Sequence, residues 1–281
     1  MKEHSGVPQD LIELLQMEQP AVRWQAAMQL RGAAQQQQSQ SLSALTQALA
    51  DDHPFVRWRA GLALAQANQP AALAALRLAL STGSPEGQAA AADALGGVHK
   101  VDPLPLLEAL NSPHACVRQS AAEALAHQRS WHIGAGLVER LADESAWVRR
   151  AAATALGHIG DRQAVAPLIE CLSDSSALVR RSAAYALGAM RARQAAPALS
   201  AALDDPDPAV RRNAAWALGR LAVRSALPGL ESLLDDPALD GEVAEQAARA
   251  IRAIQRWGWQ WLLYVVGSWL MRRPPVIHKV E

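Results

Sequence analysis

Apolar residues recur along this chain at the three- and four-residue spacing of amphipathic helices, in paired blocks parted by a few polar residues. The blocks "AVAPLIECL" (164–172) and "LVRRSAAYALG" (178–188), separated by "SDSSA", form one such pair and predict a hairpin of two helices. The second block returns as "AVRWQAAMQL", "FVRWRAGLAL", "CVRQSAAEAL", "WVRRAAATALG", "LVRRSAAYALG" and "AVRRNAAWALG". Its valines are Val22, Val56, Val117, Val148, Val179 and Val210, and the last three steps are 31 residues each. A weaker copy, "GQAAAADALGG", falls between Val56 and Val117, and a divergent one, "EVAEQAARAI", contains Val243; the count is then eight repeats.

A lone hairpin cannot bury its apolar face, so such repeats stack and draw their stability from their neighbours. The expected architecture is an all-α, right-handed superhelical solenoid of about eight hairpins over residues 1–254, followed by a C-terminal apolar helix and tail at 255–281. Asp and Ser in the turns "ADESA", "SDSSA" and "DDPDPA" are expected to cap the second helix, with Pro suited to its first turn. Gly157, Gly188 and Gly219 close the "ALG" runs, where glycine either stops a helix or lets two helices approach closely. Arg23, Arg57, Arg118, Arg149, Arg180 and Arg211 recur with the repeat, six residues after Asp51, Asp143, Asp174 or Asp205 wherever that Asp is present. This spacing predicts an inter-repeat ladder in which Arg bonds carboxylates and loop carbonyls.

The run "DxxxxVRRxAAxALG", beginning at Asp143, Asp174 and Asp205, resembles the HEAT-like repeats of the phycobilisome lyase type, and the resemblance covers residues 8–254. It implies the fold and leaves the activity open, because scaffolds, pigment lyase subunits and metal hydroxylases share this repeat. The deoxyhypusine hydroxylase branch rests on His-Glu pairs for iron; this chain has no His-Glu dipeptide, and that branch is set aside.

Specificity then falls to positions that vary while the repeat stays fixed. In each second helix, the residues one, two and five after the recurring Arg are expected to face a concave groove. They are Trp24, Gln25 and Met28; Trp58, Arg59 and Leu62; Gln119, Ser120 and Glu123; Arg150, Ala151 and Thr154; Arg181, Ser182 and Tyr185; Arg212, Asn213 and Trp216. Trp, Tyr and Arg dominate binding energy at interfaces, so this row is the candidate partner-binding surface. In the alternative reading Trp24 and Trp58 cap the core beside the N-terminal end repeat and Trp216 packs inside the stack.

Charge narrows the partner. The chain carries 27 basic and 27 acidic residues, and only three of the bases are Lys. A dedicated nucleic-acid binder needs a basic excess, and the expected groove is acidic or neutral at Asp93 and Glu123, so nucleic acid is not the expected partner. Cys116 and Cys171 form no CxxC pair, and the eight His lack metal-ligand spacing, so no metal and no catalytic residue is assigned. No phosphate loop, GxSxG elbow or zinc-protease motif is present.

Composition changes abruptly at "RWGWQWLLYVVGSWLMRRPP" (256–275). Trp257, Trp259, Trp261, Leu262, Tyr264 and Trp269 lie in an uncharged stretch bracketed by Arg252 and Arg256 before it and Arg272 and Arg273 after it. Fifteen helical residues span about 22 Å, short of a bilayer core. Shallow membrane insertion, capping of the solenoid and docking on a partner subunit all fit this stretch. Near the other end, "RGAAQQQQSQS" from Arg31 reads as a Gln-rich loop that lengthens one step to 34 residues.

The expectation is a cytoplasmic, non-enzymatic scaffold or assembly factor that grips a protein partner, needs no cofactor and is held at a membrane surface or hydrophobic subunit by its tail. The family resemblance implies an alternative, a phycobilin lyase subunit or pigment-handling factor. There Arg150, Arg181 and Arg212 would pair with phycobilin propionates, and Tyr185 or Trp216 would stack on the pigment.

Overall fold

A computed structural model describes residues 9–36, 38–99, 101–128, 133–235 and 240–271, the last stretch with side chains as far as Arg256. Regular structure among the described residues is entirely helical, and the chain divides into two units, Met1–Ala186 and Leu187–Glu281.

In the first unit, first and second arms alternate. Helix α1 (Gln9–Leu14) precedes α2 (Pro20–Gln29), and a short α3 (Arg31–Gln35) occupies the start of the expected Gln-rich loop, where Ala34 is buried. The next hairpins are α4 (Ser39–Ala48) with α5 (Pro54–Ala67), α6 (Pro70–Thr82) with α7 (Pro85–Gly96), and α8 (Leu104–Ala109) with α9 (Ala115–Leu125). Then come α10 (Gly134–Glu139) with α11 (Ala146–Ile159), and α12 (Val165–Glu170) with α13 (Ala177–Ala189), whose last turn belongs to the second unit. The second unit adds α14 (Ala196–Ala201) with α15 (Pro208–Leu221), and α16 (Leu227–Leu234) with α17 (Gly241–Met271). These pairs are the eight repeats read from the sequence.

The repeated pattern explains the packing. In α11, Val148, Ala152, Ala155 and Leu156 stand at i, i+4, i+7 and i+8 and are fully buried, as are Ile133 and Leu137 at the start of the same hairpin. Pro20, Pro54, Pro70, Pro85 and Pro208 sit in first turns, where the missing N–H costs nothing. Side-chain caps are rarer than the turns suggest. Ser84 and Asp207 do cap, accepting from Gly87 and from Ala209 and Val210 respectively, whereas Ser145 makes no cap bond.

The recurring Asp has a different task. Asp143 Oδ1 accepts the backbone N–H of Ser145 at 2.9 Å, and Asp51, Asp174 and Asp205 tie their own turns in the same way. The carboxylates of Asp51, Asp143 and Asp174 also receive the Arg of the preceding repeat. Arg118 donates from Nε to Asp143 Oδ2 at 2.8 Å and from Nη2 to Oδ1 at 2.9 Å; Arg23 with Asp51 and Arg149 with Asp174 repeat this fork. The remaining nitrogen, Nη1, straps two carbonyls of its own turn, Ser112 and Pro113 for Arg118. Arg57 keeps the strap to Asp51 and Asp52 but has no carboxylate partner among the described residues, because the weak repeat after it offers no Asp.

The glycines of the "ALG" runs prove to be sites of close approach and not stops, since α11 and α15 continue past them. A Cβ on Gly157 would lie 2.8 Å from Ala186 Cα, and one on Gly219 2.9 Å from Ala250 Cα. The turns that end these helices use left-handed residues further on, Gly160 at φ 78°, Arg191 at φ 52° and Ala222 at φ 51°.

Helix α17 buries Val243, Ala247, Ala250 and Ile254, completing the last hairpin, and continues unbroken to Met271. Its 31 residues extend about 46 Å at 1.5 Å per residue. No helix among the described residues is long and apolar enough to cross a membrane.

Candidate functional site

Several of the variable residues on the second helices face solvent. In the first unit, Trp24 and Met28 on α2, and Phe55 and Trp58 on α5, are exposed, Trp58 to 52% and Trp24 to 36%. Arg59 lies over the Trp24 ring at 5.4 Å, which joins α5 to α2 across this face. Between α5 and α7 opens a cleft of about 390 Å³, lined by Trp58, Leu62, Gln66, Glu86 and Asp93, with Arg57 also on its wall.

Asp93 stands exposed at this cleft, yet its carboxyl is pushed up to about 6. Protein crowding around the group is the main cause and the negative charge of Glu123 adds to it, while a hydrogen bond from Ser120 works the other way.

Further along the same unit the expected stripe is engaged within the protein. Arg150 Nη2 contacts Glu123 Oε1 at 2.5 Å, Gln119 Nε2 donates to the same oxygen at 3.1 Å, and Arg150 also lies over the exposed Trp147 ring at 5.6 Å. Tyr185 is exposed and meets His158 edge-on at 6.3 Å; Arg181 is half-buried. In the second unit, Arg212 pairs with Glu242, and Trp216 is half-buried with Arg220 over its ring at 5.3 Å. The Trp216 ring fills the space that a Cβ on Gly188 would need. Internal packing, one of the two readings open for this residue, therefore describes much of the Trp216 ring, whereas Trp24 and Trp58 are open to solvent.

The expectation for the second residue after the recurring Arg needs correction. Gln25 is exposed, but Ala151 and Ser182 are buried: a small side chain close to the helix axis is enclosed by packing that leaves a longer one in solvent. The residue just before the repeated Val takes its place on the open face. Phe55 and Trp147 occupy that position, three residues before Trp58 and Arg150, and helical spacing alone would have found them.

Of the tail candidates, Trp257, Trp259, Trp261, Leu262, Tyr264 and Trp269 belong to α17, with side chains outside the described part; Arg272 and Arg273 lie outside the described residues altogether. Among the described residues no group of His, Cys, Asp and Glu is gathered as a metal site. Both cysteines are free, and Cys171 is buried with its thiol pushed up to about 11, chiefly by burial and then by the charge of Asp174, which keeps it protonated and unreactive.

Stacked helical hairpins tied by recurring Arg–Asp forks, with variable residues exposed on their second helices, define an α-helical repeat protein. The sequence profile of HEAT repeats matches residues 8–96, 103–188, 134–205 and 165–252, and the chain belongs to that family. Among solved structures it is similar to Escherichia coli YibA, at 20% identity and TM-score 0.61 over 88% of this chain and 93% of that one. It is also similar to an engineered protein, at 22% identity and TM-score 0.54 over 88% and 78%. Human deoxyhypusine hydroxylase in complex with glycerol matches at 26% identity and TM-score 0.40 over 88% and 96%. The search of curated proteins gave no match.

Proposed function

We propose that the protein is a non-enzymatic, cytoplasmic scaffold or assembly factor that holds a protein partner on the open face of its second helices. One observation carries this reading: Trp24 and Met28 on α2 and Phe55 and Trp58 on α5 are all exposed, and Trp58 lines the cleft of about 390 Å³. Large exposed apolar side chains gathered on one surface are a solubility cost that a binding site explains. The apolar part of α17 then docks the complex on a membrane surface or a hydrophobic subunit. The phycobilin alternative asks Arg150 and Arg212 to meet propionates, and both already face Glu123 and Glu242; a visible absorbance band carried through purification from a pigmented host would restore it.

The test is affinity capture with mass spectrometry, comparing the wild type with Trp24→Ala/Trp58→Ala. The variant loses the specific partner while its thermal stability stays within about 1 kcal/mol of the parent. Undiminished capture, or a protein that unfolds, would refute the reading.

A further inference from the structure

In the second unit, Arg191, Arg193 and Arg220, with Leu221 and Ala222, line a pocket of about 170 Å³ at the ends of α13 and α15. None of the three arginines has a carboxylate partner among the described residues, unlike Arg212, which pairs with Glu242. Two helix C-termini supply together a charge of about −1, against three cations. The surplus positive charge is therefore not explained by the helix dipoles.

Nor does the turn require it. The three successive turns read "GHIGDRQA" (157–164), "GAMRARQA" (188–195) and "GRLAVRSA" (219–226). Gly160, Arg191 and Ala222 each take the left-handed position, so the same turn forms with no side chain or with a methyl group. At residue 191 a long cation adopts a conformation that L side chains take at a cost, beside Ala192 where the preceding repeat has Asp161. The turn has thus exchanged an acid for neutrality and a glycine for a cation. Ala192 N–H still closes on the Leu187 carbonyl at 3.0 Å, fixing where Arg191 leaves the helix. Arg220 is held from one side by the Trp216 ring.

We propose that this pocket receives a carboxylate side chain from an acidic segment of the protein partner. Arginine forks match planar carboxylates in two parallel bonds, and the pocket has room for one side-chain group. A nucleic-acid backbone would need a continuous basic track, whereas Glu242 and Glu245 stand exposed in the same unit. The inference rests on the scaffold reading above and names the chemistry of its partner.

The experiment titrates a fluorescein-labelled Glu-rich decapeptide into the full chain and follows anisotropy, with single-stranded oligothymidine as the competing probe. Saturable peptide binding weakens by about ten-fold or more in Arg191→Gly/Arg220→Ala, and stays within about two-fold in Arg162→Ala, which alters the same turn one repeat earlier. Arg191→Gly also relieves the left-handed strain, so that variant melts no lower than the parent while binding the peptide less well. Absent or unchanged peptide binding overturns the proposal, and so does tighter binding of oligothymidine that the same substitutions abolish. Partner capture that still depends on Trp24 and Trp58 alongside a failed peptide titration removes this site and leaves the scaffold reading standing; the reverse pattern removes the Trp24 and Trp58 face and leaves an acidic partner held at this pocket.

Discussion

Arg118 grips both carboxylate oxygens of Asp143 in the next repeat and, with its third nitrogen, the turn that precedes its own helix. Both side chains are nearly enclosed, at 7% and 4% exposure, so the pair is a structural clamp and not a surface ornament. Removing one partner of an enclosed pair leaves the other charge poorly matched, and the exposed Glu144, 3.0 Å from Arg118 Nη2, offsets only part of the loss. Asp143→Asn is therefore expected to cost about 3 kcal/mol in urea denaturation. A loss below about 1 kcal/mol would reduce the ladder to the level of exposed ion pairs.

The ladder also sets a pH response. Burial by itself pushes the carboxyls of Asp51, Asp143 and Asp174 up, but the hydrogen bonds from Arg and from the backbone N–H two residues on outweigh it, and all three titrate below the ordinary 3.8. An acid depressed in the folded state contributes stability above its unfolded pKa and loses it as pH falls through the folded one. The denaturation midpoint should thus hold near neutrality and fall progressively below about pH 4, with a shallower fall in Asp143→Asn. A midpoint unchanged between about pH 5 and about pH 2 would contradict this.

Much of this ladder was readable because a fixed period places each Asp a set distance from the Arg before it. Arg118 and Arg149 both reach 25 residues forward, while Arg23 reaches 28 because its repeat is longer. The open face was readable only in part. Sequence spacing marks Trp24 and Trp58 but does not say which side chains of adjacent repeats meet, so neither the burial of Ala151 and Ser182 nor the pairing of Glu123 with Arg150 follows from it. The Arg191, Arg193 and Arg220 pocket is assembled from two turns in different repeats, so neither turn announces it alone.

Glycine at 188 has a steric reason that can be measured. A Cβ there would lie 2.6 Å from the Trp216 ring and 2.8 Å from Ala217 Cα, and backbone cannot yield as a flexible side chain does. Gly188→Ala should destabilise by about 1–3 kcal/mol through overpacking. Gly32→Ala is the contrast, because nothing lies within 4 Å of its Cβ and alanine is the better helix former by about 1 kcal/mol. Equal melting temperatures for the two variants would mean that the close approach of α13 and α15 carries no weight.

Asp93 responds to pH in the opposite direction from the ladder. Its carboxyl is raised to about 6 by crowding and by Glu123 on α9, with Glu86 on its own helix and Arg57 on α5 lining the same cleft. A folded pKa above the unfolded value favours folding while the group is protonated, so this contribution is present below 3.8 and lost as pH climbs to about 6. The carboxyl resonance of Asp93 should titrate near 6 by NMR. Glu123→Gln removes a repelling charge and should lower that midpoint, while Ser120→Ala removes a hydrogen bond to the carboxylate and should raise it. An unmoved midpoint in both variants would show that crowding alone, and not these two neighbours, governs the group; a midpoint near 3.8 would show that the cleft leaves Asp93 as exposed electrostatically as it is geometrically.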